Sequence, residues 1–283
     1  INIYSTIKKE GEISVKLKVQ CPAKINLTLK ITGKRDDGFH NIESIMQTIS
    51  LYDYLMIEVL PSENFEIILS GNSTEIPYNE KNLVYKAAKL FFENTNISPQ
   101  KINIYIEKNI PVAAGLAGGS TNAAGTLFGL NEIFDQPLTR KELHTLCAKL
   151  GSDLNFCLEG GCQMTRGRGE ILEKQEFKPM QISLIKPTNL GISAKEAYTK
   201  FSQKKSEDFK SEFGAREDFI NNLEWAVIDD YEELKHIKRK YPKSIMSGSG
   251  STYFGINLNF SPEKDFWIKN DLKATNTGIC VIN

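Results

Sequence analysis

The chain has 283 residues, with 35 basic and 35 acidic side chains and no net formal charge. That balance removes the electrostatic footprint of a nucleic-acid binder and favours small-molecule chemistry, and the length suits one large domain or two modest ones. Cys21, Cys147, Cys157, Cys162 and Cys280 are odd in number, scattered and never spaced Cys-x-x-Cys, so they read as reduced thiols.

In chain order, residues 13–19 alternate apolar and polar as a strand, and after Cys21-Pro22-Ala23 a second alternation covers residues 25–31. Lys24 and Asn26 point to one strand face, with Ala23, Ile25 and Leu27 on the other. A lysine there is either a solvated edge charge or, with Asn26, half of a polar pair. Residues 33–41 form a turn-rich segment ending in Phe39 and His40, which reads as a hairpin connection. Strand-like runs follow at 42–51, 54–60 and 65–69, and residues 82–92 change to the helical period.

Residues 101–110 read as a strand leading into Pro111-Val112-Ala113-Ala114-Gly115-Leu116-Ala117-Gly118-Gly119-Ser120-Thr121-Asn122-Ala123-Ala124, beyond which apolar residues recur at helical spacing. A helix starting inside such a loop offers unpartnered N–H groups and the positive end of its dipole to an anion. Glycines let a pyrophosphate approach the backbone, while Ser120 and Thr121 can cap the helix or touch phosphate or Mg²⁺. A plain turn remains the competing reading. The loop is neither Gly-x-x-x-x-Gly-Lys-Ser/Thr nor Gly-x-Gly-x-x-Gly, which excludes the Walker and Rossmann types.

Thr139 and Glu142 form a capping box opening a helix that Gly151 ends. Asp153 follows, either as a first-turn helix acid or as a carboxylate kept ionised for use as a base. Residues 160–172 read as a glycine-broken strand pair with Arg166 and Arg168 at the surface. A domain boundary is placed just before the buried-strand run at 181–187, dividing residues 1–179 from 180–283. Ser193 and Glu196 suggest another capping box with Tyr198 on its helix, residues 203–214 a mobile connection, and 218–240 one long helix or two short ones. Residues 245–255 form a turn between packed elements, Ser261-Pro262-Glu263 starts a last helix, and residues 279–282 end the chain as an apolar run. Only three histidines occur, and none has neighbouring ligands, so no dedicated metal site is expected. No apolar run approaches membrane-spanning length and no signal-peptide pattern opens the chain, so a soluble, intracellular protein is expected.

Three segments in this order, Pro22-Ala23-Lys24-Ile25-Asn26-Leu27, the glycine loop, and Ser247-Gly248-Ser249-Gly250-Ser251-Thr252, resemble the three motifs of the superfamily of galactokinase, homoserine kinase, mevalonate kinase and phosphomevalonate kinase. Thr32-Gly33-Lys34-Arg35-Asp36-Asp37-Gly38-Phe39-His40 and Leu150-Gly151-Ser152-Asp153 are similar to the marks of its branch acting on 4-diphosphocytidyl-2-C-methyl-D-erythritol, in the non-mevalonate route to isoprenoids. The resemblance implies a two-domain α+β fold with the active site between domains. An N-terminal domain would hold ATP and the catalytic groups, and a C-terminal domain would add to the substrate site. It also implies ATP as phosphoryl donor, Mg²⁺ carried with it, and a CDP-linked methylerythritol as acceptor through its 2-hydroxyl.

By the same resemblance, Asp153 would be the general base and Lys24 its charged partner. The triphosphate would be held by Gly115, Gly118, Gly119, Ser120 and Thr121, within an ATP site that also takes in Pro111, Ala113 and Leu116. Asn82, Leu83 and Lys108 would lie near the adenosine, and Asn26, Phe39, His40 and Tyr198 would contact the CDP substrate. A monomer or weak homodimer in the cytoplasm, or alternatively the plastid stroma, fits such an enzyme, with no nucleic-acid or membrane partner.

Phe39 stands where tyrosine is expected, Ala117 interrupts the glycine run, and Ala194 replaces a common threonine. A kinase of homoserine, mevalonate or a sugar is the nearest alternative, and a nucleotide-binding protein without catalysis the more distant one.

Overall fold

The computed structural model describes residues 5–9, 12–98, 100–204 and 221–282. Strands β1 (Ser5–Lys9), β2 (Glu12–Asn26), β3 (Lys30–Lys34), β4 (His40–Pro61) and β5 (Glu66–Gly71) fill the front of the chain. Helix α1 (Leu83–Glu93) and strand β6 (Gln100–Glu107) precede α2 (Gly118–Ile133), α3 (Arg140–Leu150) and α4 (Leu154–Glu159). Strands β7 (Cys162–Arg166) and β8 (Ile171–Lys174) complete the mostly antiparallel first sheet, whose central order is β1-β2-β4-β6-β5. A second sheet, ordered β10-β11-β9-β12, is formed by β9 (Gln181–Pro187), β10 (Ile245–Met246), β11 (Tyr253–Ile256) and β12 (Phe266–Lys273). Its helices are α5 (Ala194–Gln203), α6 (Asn222–Val227) and α7 (Glu232–Lys240). The last strand, β13 (Cys280–Ile282), returns to pair with β2. The fold is α+β. We propose the division near residue 180, where the second sheet begins, with β13 handed back to the first unit.

Several local expectations change. The two strands anticipated at 13–19 and 25–31 are instead the single β2 through Asn26 and the short β3. Pro22 has no N–H for the ladder and is accommodated by a register shift between Pro22 and Ala23. The runs at 42–51 and 54–60 are likewise one strand, β4. The segment 218–240 resolves into α6 and α7 separated by a 3-10 turn at Ile228–Asp230, with 218–220 outside the described residues. Of the connection expected at 203–214, residues 205–214 also lie outside them.

Ser261-Pro262-Glu263 opens no helix. Asp265 sits at φ 68, which a right-handed helix cannot continue through, and Phe266, Trp267 and Ile268 pair with β9 instead. The capping box at 193–196 is half formed. The Ser193 hydroxyl accepts from the Glu196 N–H, but the Glu196 carboxylate turns to the Tyr231 hydroxyl and Lys200.

The main core lies between the first sheet and α1 to α4. Helix α2 is pressed against β2 and β4 at Gly125 and Gly129. A Cβ on Gly125 would stand 2.4 Å from Cys21 Sγ, and one on Gly129 2.6 Å from Ile57 Cδ1. A second core joins Ala23 and Ile25 of β2, and Leu27 just beyond its end, to Ile182 and Leu184 of β9 and to Leu116 of the glycine loop. A third fills the far side of the second sheet against α5 to α7. β2 therefore serves two cores: Leu17, Val19 and Cys21 pack into the main one, and beyond the register shift at Pro22/Ala23 its apolar residues Ala23 and Ile25 face the second sheet.

The exit from β6 into the glycine loop is fixed by Asp53, which is fully buried. Its carboxylate accepts from the N–H groups of Asn109 (2.6 Å) and Ile110 (2.7 Å) and pairs with Lys108 Nζ at 2.7 Å. Lys108 Nζ also donates to the Ile110 carbonyl at 2.5 Å. Removing one partner leaves the other charge buried and alone, so Asp53→Ala is expected to lower stability by about 3–5 kcal/mol. Urea unfolding measures it, and a loss below 1 kcal/mol contradicts this role.

Candidate active site

The loop between β6 and α2 is built on left-handed backbone: Ala113 (φ 50), Gly115 (φ 72) and Ala117 (φ 59) all adopt it. Ala117 is the N-cap of α2 and provides no side-chain cap bond, so Ser120 and Thr121 do not cap the helix as the sequence allowed. The first intrahelical bond runs from Thr121 N–H to Ala117 O at 2.9 Å. The amides of Gly118, Gly119 and Ser120, ahead of it in the first turn, therefore have no intrahelical partner and face the dipole's positive end outward.

This loop is clamped to the second sheet. The Gly115 carbonyl accepts from Ser247 Oγ at 3.0 Å, and a Cβ on Gly115 would come within 2.0 Å of the Ser247 carbonyl. Ile192 N–H donates to Ala113 O (3.3 Å) and Thr252 N–H to Ala114 O (3.4 Å). Asn221 holds the opposite side of the 247–252 turn through the carbonyls of Met246 and Gly248.

Lys24 enters from β2 and is 3% exposed. Its ammonium donates to Asn26 Oδ1 (2.6 Å) and to the Gly115 carbonyl (3.0 Å), and lies 3.5 Å from Asp153 Oδ2. Asn26 in turn donates to Ser44 Oγ at 2.8 Å. Asp153 is the N-cap of α4, but its side chain makes no capping bond, which leaves the carboxylate free to face Lys24. These groups open onto a cleft of about 960 Å³.

The far wall of the cleft carries aromatic groups from the β3–β4 hairpin and α5. The His40 ring stacks on Tyr198 (centroids 5.2 Å apart, planes at 18°) and meets the edge of Phe201. His40 Nε2 lies 3.0 Å from Ser202 Oγ. Burial, and secondarily the charge of Lys34, push the His40 imidazole below its ordinary value, which favours the neutral ring at neutral pH. Burial, with the Asp153 charge adding to it, raises the Tyr198 phenol and keeps it protonated. Phe39 is 51% exposed at the cleft mouth under the Arg168 guanidinium, 4.9 Å from the ring centroid.

Arg168, read from sequence as a surface residue, lines the cleft, as do Lys34, Ala194 and Lys195. Only the spacing of β7 and β8 around the 167–170 turn directs Arg168 inward, and no motif carries that. Arg166 does lie at the surface, paired with Glu173 and Glu43.

Of the residues singled out from sequence, the cleft brings together Lys24, Asn26, Phe39, His40, Gly115, Ser120, Asp153 and Tyr198. Gly118 and Gly119 sit on the loop just beyond, and Leu83 Cδ1 lies 3.7 Å from the position of a Gly119 Cβ. Asn82 caps α1 through Val84 N–H. Lys108 is occupied with Asp53, Leu116 is buried in the second core, and Thr121, in the first turn of α2, is fully buried. Pro111 and Ala113 are outside the lining of the cleft. All five cysteines are free thiols, and burial raises those of Cys21 and Cys157 and pushes that of Cys147 up to about 12, so they stay protonated.

Residues 82–161, which span α1, the loop and α4, match the family described as GHMP kinases N terminal domain. Fold and loop together make this a small-molecule kinase of the GHMP class. A homoserine kinase structure from Cytophaga hutchinsonii shares that fold at a TM-score of 0.66 and 15% identity, with 99% of this chain and 100% of that one covered. The chain is 38% identical over 267 residues to a 4-diphosphocytidyl-2-C-methyl-D-erythritol kinase of Clostridium tetani (88% of this chain, 92% of the relative). It is 42% identical to one of Prochlorococcus marinus subsp. pastoris (94% and 93%). A crystal structure of 4-(cytidine 5'-diphospho)-2C-methyl-D-erythritol kinase superposes at a TM-score of 0.70 with 27% identity, covering 92% of this chain and all of the other. The chain belongs to the 4-diphosphocytidyl-2-C-methyl-D-erythritol kinase family.

Two predictions follow from this geometry. Gly115→Ala meets both the Ser247 carbonyl and the left-handed φ, and is expected to cost about 1–3 kcal/mol. Gly119→Ala meets only Leu83 Cδ1, at an ordinary contact distance of 3.7 Å, and is expected to leave thermal stability nearly unchanged; equal losses in the two variants contradict the clamp.

The second concerns α4, held to α3 by Glu159, which accepts from His144 (2.6 Å) and Arg140 (2.8 Å). The hydrogen bond from His144, followed by that from Arg140, holds the Glu159 carboxyl down at about 2 against an ordinary 4.5. Its contribution to stability is therefore present above pH 4.5 and lost as pH falls toward 2. Glu159→Gln is expected to flatten stability against pH within that window, and an unchanged acid limb contradicts the assignment.

Proposed function

We propose that the chain transfers the γ-phosphoryl group of ATP to the 2-hydroxyl of 4-diphosphocytidyl-2-C-methyl-D-erythritol. The observation that carries this reading is the Lys24–Asp153 pair, 3.5 Å apart, at the meeting of the α2 loop and the aromatic wall. Phosphoryl transfer needs positioning and charge stabilisation more than covalent help. The amides of Gly118, Gly119 and Ser120 receive the triphosphate. Asn82 and Leu83 lie on the adenosine side, with Pro111, Ala113, Leu116, Thr121 and Lys108 shaping the loop. Asp153 accepts the acceptor hydroxyl's proton as the new P–O bond forms and the bond to the ADP leaving group breaks, and the Lys24 ammonium, 3.5 Å away, holds that carboxylate in place. Phe39, His40 and Tyr198 take the cytidine part of the acceptor, with Arg168 above Phe39, and Asn26, beside Lys24, contacts the same substrate at the catalytic end.

Among the described residues no cluster of three or more His, Cys, Asp or Glu can hold a metal. The donors present suit Mg²⁺ only as it arrives on ATP, since such an ion keeps most of its ligands from phosphate and water. Ser120 and Asp153 are the cleft oxygens within the proposed phosphate site. When bound, the ion neutralises phosphate charge. One chain supplies every residue invoked, which suits a monomer or a weak homodimer. No helix among the described residues is long and apolar enough to cross a membrane, and the bacterial relatives support a cytoplasmic location.

ADP release with the CDP-linked acceptor should exceed that with mevalonate, homoserine or galactose; preference for any of those three overturns the reading. Asp153→Asn is expected to lower kcat by about 100- to 10,000-fold with acceptor binding retained, and a change within a few-fold rules Asp153 out as the base. Gly119→Val is expected to fold yet lose ATP affinity, because its branched side chain enters the phosphate space.

A further inference from the structure

Ser202, in the last turn of α5, makes two contacts that together determine a proton position. Its hydroxyl lies 3.0 Å from the Tyr198 carbonyl, one turn back, and 3.0 Å from His40 Nε2. A hydroxyl has a single hydrogen, and a carbonyl can only accept, so that hydrogen goes to Tyr198 O. Toward His40 the Ser202 oxygen is then the acceptor, and Nε2 carries the proton. In a neutral imidazole this leaves Nδ1 as a bare acceptor, and Nδ1 has no protein partner among the described residues. The stack on Tyr198 and the edge contact with Phe201 fix the ring plane, while burial and the Lys34 charge across the hairpin disfavour a second proton.

We infer that Ser202 is a positioning residue that holds His40 in the Nε2–H tautomer, so that Nδ1 selects cytidine over uridine nucleotides. The inference deepens the proposed function and rests on His40 facing the acceptor's base. Cytosine presents an exocyclic amine, a donor that an acceptor nitrogen can pair; uracil presents a carbonyl oxygen at the same place, which would face Nδ1 lone pair to lone pair. Leaving such a polar edge unpaired is what makes a hydrogen-bonding site selective. Ser202 touches no substrate in this account and acts only through the ring it holds.

The test uses the full chain with ¹⁵N-labelled histidine. Long-range ¹H–¹⁵N spectra read the tautomer of His40, and calorimetry gives CDP and UDP affinities. The free protein is expected to show Nε2–H, with Ser202→Ala moving toward a mixture of tautomers and Ser202→Thr, which keeps the hydroxyl, restoring the original. The CDP-to-UDP affinity ratio is expected to fall about tenfold in Ser202→Ala, the scale of one hydrogen bond, and to recover in Ser202→Thr. A wild-type Nδ1–H tautomer overturns the inference, as does a Ser202→Ala protein with unchanged tautomer and unchanged ratio. The functional reading fails separately, if the wild-type protein binds no cytidine nucleotide while its spectrum still shows Nε2–H; in that case the tautomer assignment stands and the selection step falls.

Discussion

The site depends on one buried ammonium. Lys24 has three N–H donors and, almost wholly out of water, finds three oxygens for them: Asn26 Oδ1 on its own strand, the Gly115 carbonyl, and Asp153 Oδ2. A buried charge left without such partners would be strongly unfavourable, so the strand, the glycine loop and the start of α4 have to converge on it. The same Gly115 carbonyl also accepts from Ser247, which ties the second sheet to the same point. Position of the phosphate loop, through a hydrogen bond, and orientation of the carboxylate, through an ion pair, are thus two consequences of one ammonium's contacts.

The scaffold around this point is rigid for identifiable reasons. Glycines at 125 and 129 bring α2 within side-chain contact of β2 and β4, and the Asp53–Lys108 pair locks the chain where β6 ends. The loop therefore has little freedom between its two anchors, and alanines at 113 and 117 are held in left-handed backbone that glycine would adopt with less strain. Interruption of the glycine run by Ala117 is compatible with the helix start, because its methyl group does not alter the N–H groups that follow.

Much of this was legible in the sequence where a short-range rule applied. Strand alternation alone put Lys24 and Asn26 on one face, and the structure has them 2.6 Å apart. The strand, loop and helix around residues 100–133, and the capping box at Thr139, follow from local chemistry in the same way. What was not legible depended on long-range pairing. Ser261-Pro262-Glu263 has a helix-start pattern, yet pairing of residues 266–273 with β9 overrides it. Arg168 and Ser202 carry no motif, and their roles at the cleft appear only once the β7–β8 turn and α5 come together over the β3–β4 hairpin.

The central claim is that Lys24 and Asp153 act as one unit, and a double-mutant cycle on kcat for ADP release tests it most directly. Single Lys24→Met and Asp153→Asn variants are compared with the double variant, each checked for native folding. Residues that act through one another give non-additive losses, so the double variant is expected to be no slower than the worse single variant within a few-fold. Losses that multiply in the double variant would show two independent contributions and contradict the account.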